Sequence, residues 1–585
     1  MRPRLSGLLL ASFLAACAGD RAAPPPAPAV GAAPASPERD ALRSAVADLS
    51  RKAEALLRAQ DELVWKHWIE GGPADLARTY VGTESWLTPE AVAQVARLRD
   101  LTGDGLERRG LEHLHAYLAG EWMAQQLADV SDAIATLEQS LTFQVAGTDR
   151  PYRNLESMLA SERSALRRRQ IYEAATPAVE KLSALIEHRG ARAAELIPRL
   201  DLEPTAWATE LRESTPVELA EIAEAVLSRT QDAWTAALTR LAQQELQLPL
   251  ERIGRQDLPR LVRLPATGGF KRDEVVSRIR ATLAPLELDP AALSSVTLDA
   301  GDSPRKSSRG LVLGVVVPGD VRISLKPVGG ARDQRSALHE FGHAVHDAFT
   351  EERRFELAKL GNRTNAEAFA SLLESLTIEP AWLEQGGLTP EAARAWIQAV
   401  TVQEVFLVRR AAGKVLFNVA AARPGADLHA AYRTAMDRAY GLPATGPDEA
   451  RSTLDQEATL GAGDYLRGWL LAAQMREALV RRFGTKWWED PAAGRFLRPL
   501  LAPGNGLDAR GLARALGDAG ISPEAFVASA TARLGGAPAP AGPSLARPPS
   551  ADAGTPPPPA TAADAGTDRA AAPARQPPPG GVGGF

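Results

Sequence analysis

Two histidines one helical turn apart, with a glutamate beside the first, lie in Ala337-Leu338-His339-Glu340-Phe341-Gly342-His343-Ala344-Val345-His346. For both imidazoles to reach one ion the stretch must be helical, and Leu338, Phe341, Val345 and Phe349 recur at helical spacing along its other side. Any fold this chain adopts therefore has to bury one face of that helix and leave the histidine face open. The chain has only eight histidines in 585 residues, and three of them fall in this stretch, so chance is a poor explanation. His339 and His343 project the same way, a spacing that lets them grip one Zn2+ with Glu340 beside the open position. His346 shares the stripe but lies about 10 Å along the axis from His339 at 1.5 Å per residue. That makes it a residue behind the ligands or in a cleft wall, and not a third ligand.

A catalytic zinc needs a third protein ligand and one open position. A second helix is expected from near Ala366, with Ala366, Phe369, Ala370, Leu373 and Leu376 as its apolar side and Glu367, Ser371 and Glu374 on a polar stripe. Glu367, early in that helix, is the choice for third ligand. Glu374, two turns further along the stripe, is the fallback.

The remaining chain is punctuated as helices. Thr88-Pro89-Glu90, Thr389-Pro390-Glu391 and Ser522-Pro523-Glu524 each read as a cap followed by a first-turn proline, Ser36-Pro37-Glu38 does the same, and Thr215-Pro216-Val217-Glu218 is a capping box. The pattern breaks between 310 and 330, where residues 311–317 and 321–325 read as two strands around a Pro318-Gly319-Asp320 turn. A sheet just before the histidine helix has two readings. Its edge can hold an extended peptide by main-chain hydrogen bonds, or the hairpin only packs on the core. His113 and His115 are two apart, point to different faces of a helix and are taken as structural; Trp65 and Trp68 are taken as core and cleft wall.

Both ends of the chain differ in character from the body. Arg2 and Arg4 precede an apolar run from Leu5 to Ala16 that is too short to span a bilayer. The segment closes on Leu14-Ala15-Ala16-Cys17, which resembles the lipobox of bacterial lipoproteins. The resemblance implies that Cys17, the single cysteine, carries acyl chains that anchor the protein in a lipid bilayer, and Ala18 favours the outer membrane, facing the periplasm. Residues 1–17 are thus expected as signal, 18–37 as a Pro/Ala-rich linker, 38–265 as an N-terminal helical half, 266–535 as the half with the zinc site, and 536–585 as a disordered Ala/Pro/Gly-rich tail. A net charge of −5 gives no reason to expect a nucleic-acid partner.

The stretch from His339 to His346 looks like the active-site helix of the thimet oligopeptidase and oligopeptidase F family. Glu367-Ala368, with Glu374 seven residues on, is similar to that family's second helix, where the first Glu binds zinc. Glu367-Ala368-Phe369-Ala370-Ser371-Leu372-Leu373, ending at Pro380, is equally similar to the angiotensin-converting enzyme family. The likeness covers about residues 310 to 380, with weaker support around 455 to 490. It implies a gluzincin metallopeptidase. The expected fold is mainly α, a large helical zinc-peptidase fold with a deep channel between two halves and a small sheet beside the HExxH helix. It further implies one zinc ion per chain, oligopeptide substrates and a monomer, with endopeptidase and dipeptidyl carboxypeptidase action both open. One departure stands out. Both families stabilise the oxyanion with a Tyr-x-x-Tyr arrangement on a later helix; Tyr465 fits the first tyrosine, and the second falls on Gly468. Tyr465 is the expected donor, with His346, Arg467 and His429 as substitutes. The alternative is a catalytically weak or inactive binding or scaffold lipoprotein that keeps the zinc as structure.

Overall fold

Three helices begin where a threonine precedes a proline. Thr88 accepts the Ala91 N–H at 3.2 Å, Thr389 accepts that of Ala392 at 3.2 Å, and Thr215 with Glu218 closes a capping box. The last start differs: the helix begins at Glu524 after Pro523, and Ser522 Oγ accepts the Glu524 N–H from outside it. The computed structural model describes residues 37–71 and 75–535. The signal segment, Cys17, the linker before Pro37 and the tail from 536 lie outside the described residues.

The described chain is mainly helical with two small sheets. The helices that matter for the site are α1 (Pro37–Glu70), α2 (Gly105–Gln126), α3 (Pro216–Arg229), α4 (Ala331–Ala348), α5 (Thr364–Glu374), α6 (Pro390–Ala421), α7 (Leu428–Tyr440) and α8 (Ala462–Phe483). No helix among the described residues is long and apolar enough to cross a membrane. Strands β1 (Thr142–Val145) and β2 (Thr148–Pro151) form an antiparallel hairpin that the sequence reading did not anticipate. The second sheet has β3 (Val296–Asp299), β4 (Leu311–Val316) and β5 (Asp320–Ser324) in the order β3-β5-β4, with β3 parallel and β4 antiparallel to β5. The expected hairpin is present, and β3 extends it by a strand.

Packing of α4 follows its sequence stripe. Leu338 and Phe341 are fully buried and Val345 nearly so, in one core with Val321 and Ile323 of β5, Phe369 and Leu373 of α5, and Leu471 and Met475 of α8. At about 1.5–3 kcal/mol for each such side chain, this burial outweighs any local preference in fixing which way α4 faces. A second core joins Leu219 and Val226 of α3 to Val405 and Val408 of α6, Met436 of α7, and Leu466 and Leu470 of α8. The boundary drawn at 265/266 runs through this core, because the apolar faces of α6 and α8 are covered by helices that precede it. A third core unites α1 and α2 and takes in Leu360, on the connection between α4 and α5.

Candidate metal centre

The site is built where α4 and α5 touch. Gly342 allows the contact: a Cβ there would fall 2.4 Å from Ala370 Cα, so any larger residue would push the helices apart. With backbones this close, Glu367 reaches the histidine face of α4. His339 Nε2 and His343 Nε2 are 3.2 Å apart, and Glu367 places its carboxylate oxygens 3.8 Å from the first and 3.9 Å from the second. Ligand atoms from the three residues all lie within 4.8 Å of one another, so the group could hold a metal ion. Two nitrogens bound at zinc distances in a tetrahedral site would be about 3.3 Å apart, close to the separation found. The donor set of two imidazoles and one carboxylate suits zinc and also other divalent ions.

A supporting layer orients the ligands. His339 Nδ1–H donates to Glu374 Oε2 at 2.9 Å, which turns Nε2 toward Glu367 and His343. Glu374 thus stands behind a ligand, on the far side of the imidazole from the other two. Burial works against its ionisation, but Arg335 and His339 outweigh burial and hold its carboxyl below the usual range. Arg335 is itself buried, pairs with Glu374, donates to Glu404 at 3.1 Å and to Thr377 Oγ1 at 3.1 Å. Burial also works against a charged His339, yet Glu374, Glu367 and Glu340 together push its pKa up to about 9. His343 is driven the other way, by burial and then by His339.

Glu340 sits on the open side of α4. Its neighbour is the residue before β4: a Cβ on Gly310 would fall 2.5 Å from Glu340 Cγ. Burial raises the Glu340 carboxyl to about 7, with Glu367 and Glu374 adding to the shift and His339 and Arg363 opposing it. Strand β4, which starts at this point, is an edge strand paired only with β5 among the described residues. The end of α1 closes over its approach, where Trp68 Nε1–H donates to the Arg309 carbonyl at 2.9 Å and the Ser307 N–H donates to the Trp68 carbonyl at 2.8 Å. Trp65 lies under the Arg322 guanidinium of β5.

The other residues singled out from sequence are placed as follows. Ser371 is buried on α5, one turn beyond Glu367. His346 is buried, with Nδ1 3.2 Å from Asp347 Oδ1 and its ring against Phe369, so it belongs to the packing of α4 on α5 and not to a cleft wall. Tyr465 is half-buried on α8, and burial raises its hydroxyl pKa. Arg467 is buried and engaged with Asp464 and the Arg212 carbonyl, while His429 is exposed at the start of α7. Gly468 faces Glu367: a Cβ there would fall 2.7 Å from Glu367 Cβ, so α8 comes as close to the third ligand as a glycine permits. His113 and His115 are buried in α2, bonded to Glu213 and Glu210. Sequence reasoning passed over Arg363, whose guanidinium lies 3.6 Å from Glu367 Oε1, and Asp464, which accepts from the Arg363 N–H and the Thr364 hydroxyl. Compared with models of known protein families and with curated proteins, the chain matches none.

Proposed function

We propose that this chain is a lipid-anchored zinc metallopeptidase of the cell envelope that hydrolyses peptide bonds in oligopeptides. The observation that carries the reading is the placement of Glu340, a partly buried carboxyl that follows His339 on α4, beside a two-histidine, one-glutamate group able to hold a metal. An ion held only for structure needs no base, whereas hydrolysis needs one beside the water that attacks.

His339, His343 and Glu367 would hold the ion, which supplies a Lewis acid for water and for a carbonyl oxygen. Glu340 accepts a proton from water as the water oxygen adds to the carbonyl carbon. It then gives that proton to the amide nitrogen as the C–N bond breaks, leaving a carboxylic acid, which keeps the second water proton, and an amine. Glu374, held by Arg335, keeps His339 turned so that Nδ1 stays protonated and Nε2 stays available. Tyr465 borders the site from α8 and is the hydroxyl candidate for the developing oxyanion. An extended peptide would lie along the β4 edge, whose start passes Glu340. Acylation of Cys17 would tether the enzyme, as a monomer with one zinc, to the outer membrane facing the periplasm.

Gly468 is the specific observation that favours the rival reading, a binding or scaffold lipoprotein without efficient turnover. The test is zinc content together with cleavage of a mixed library of short peptides, for the full-length protein and for Glu340→Gln. One zinc in each and cleavage only by the unsubstituted protein is the expected result. Zinc without cleavage by either would support the scaffold reading, and absence of zinc would remove the site.

A further inference from the structure

Peptide hydrolysis puts negative charge on the carbonyl oxygen, and the groups expected from sequence to meet it are mostly unable to. His346 and Arg467 are buried in other contacts, His429 is exposed at the start of another helix, and position 468 has no side chain. Arg363, which immediately precedes α5, is differently placed. Its side chain is 64% exposed, yet Nη2 is 3.6 Å from Glu367 Oε1. Its Cζ lies 6.0 Å from the centre of the Tyr465 ring, so the cation stands between the ligand helix and α8.

The backbone at Arg363 is anchored, while its head ion-pairs with Glu367 and is otherwise open to solvent. Asp464, buried on α8, accepts the Arg363 N–H at 3.3 Å and the Thr364 hydroxyl at 3.4 Å. It is itself held by Arg212 and by Arg467, whose Nη2 is 2.9 Å away. The backbone at 363 is therefore pinned to the residue next to Tyr465. An oxyanion donor has to come within about 2.7–3.1 Å of the oxygen. The Arg363 guanidinium, 3.6 Å from Glu367 Oε1 and largely open to solvent, is the cation placed to meet it.

We infer that Arg363 is the oxyanion donor of this site, with the Tyr465 ring as the face that backs its guanidinium; the inference rests on the peptidase reading above. As the water oxygen adds to the carbonyl carbon, the C=O π electrons move onto oxygen, and Arg363 donates N–H hydrogen bonds to it without giving up a proton. When the C–N bond breaks, those electrons return to the carbonyl and Arg363 is unchanged. A guanidinium in this role replaces the hydroxyl that Gly468 lacks. It also makes the site selective for what is charged at the tetrahedral stage over what is bound as neutral amide.

The experiment uses the full-length protein and its Arg363→Ala, Arg363→Lys and Tyr465→Phe variants. It measures kcat and KM on one short peptide, zinc content, and calorimetric affinity for a phosphinic peptide, whose tetrahedral anionic centre mimics the addition step. Arg363→Ala is expected to lower kcat and phosphinic-peptide affinity by about a hundredfold or more, with KM within about threefold and zinc content unchanged. Lysine should recover part of the loss, and Tyr465→Phe should cost less than Arg363→Ala. Four outcomes overturn the inference alone while the unsubstituted protein cleaves: kcat within about threefold for Arg363→Ala, a rise in KM only, a loss explained by missing zinc, or a loss confined to Tyr465→Phe. Failure of the zinc-loaded unsubstituted protein to cleave peptide or bind the phosphinic peptide overturns the peptidase reading and this inference together.

Discussion

Replacing Glu374 by glutamine leaves an acceptor for the His339 Nδ1–H and removes only the charge. That charge is what Arg335 and His339 stabilise against burial, so its loss should reach the metal through the imidazole. Zinc affinity of Glu374→Gln is expected to fall by about ten- to a hundredfold, read by competition with a chromophoric chelator, while the circular dichroism spectrum is retained. Unchanged affinity would mean that Glu374 serves α5 packing alone. Much of the ligand chemistry was legible because it is local: His339, Glu340 and His343 share one helix, and Glu367 follows on the next. Arg363 was not legible, since four residues before Glu367 an arginine reads as an ordinary helix-start cation. Only the third dimension puts it beside Tyr465, a hundred positions on in sequence terms.

Close approach of helices sets the reach of the third ligand. Gly342 brings α5 onto α4, and Gly468 brings α8 onto α5 at Glu367 itself. Gly468→Ala would place a methyl 2.7 Å from Glu367 Cβ, and overpacking of this kind costs about 1–3 kcal/mol. The variant is expected to melt at lower temperature and to bind zinc more weakly, by calorimetry and metal titration. Gly468→Tyr should do worse on both, even though it would supply the hydroxyl that the resembling families carry. A sequence shows a glycine where a tyrosine is expected but not what stands opposite it, so the departure looked like a loss. In the structure it is a packing requirement. The hairpin β1–β2 escaped notice for a related reason. Its turn is Ala146-Gly147, with φ of 51° and 76°, and alanine gives none of the asparagine or aspartate signal usual at such a turn. Strand β3, only four residues long, has too few positions for its alternation to be read.

At the scale of the whole molecule, the N-terminal helices are tied to the site by a buried polar chain. Glu213 accepts from Arg109 Nη2 at 2.7 Å and lies 2.8 Å from His113 Nε2, while His113 Nδ1–H donates to the Glu356 carbonyl on the α4–α5 connection. The preceding residue, Arg212, pairs with Asp464, and Asp464 holds Arg363. Burial opposes ionisation of Glu213, but His113 and Arg109 overcome it and take its pKa down to about 2 from an ordinary 4.5. A depressed carboxyl stabilises the fold fully above its unfolded pKa and loses that contribution as pH falls through the folded one. The stability difference between the unsubstituted protein and Glu213→Gln should therefore be on the order of 3 kcal/mol near neutral pH and shrink between about pH 4.5 and 2, by urea unfolding at stepped pH. A difference that does not vary with pH would show that the charge is not what matters. The division into an N-terminal and a zinc-bearing half was drawn from order along the chain. Side chains such as Leu219, Val405 and Leu466 ignore it, because covering an apolar face depends on proximity alone.

That α8 clamps both Glu367, through Gly468, and the backbone of Arg363, through Asp464, also sets an order of assembly. A chain emerges N-terminus first, so His339, His343 and Glu367, the group able to hold a metal, come out well before α8. An ion met by the emerging chain would find His339 and His343 on a helix whose partner is not yet held in place. The finished geometry arrives only with residues 462–483, so maturation of the centre waits on the C-terminal part of the chain even though that part contributes no ligand.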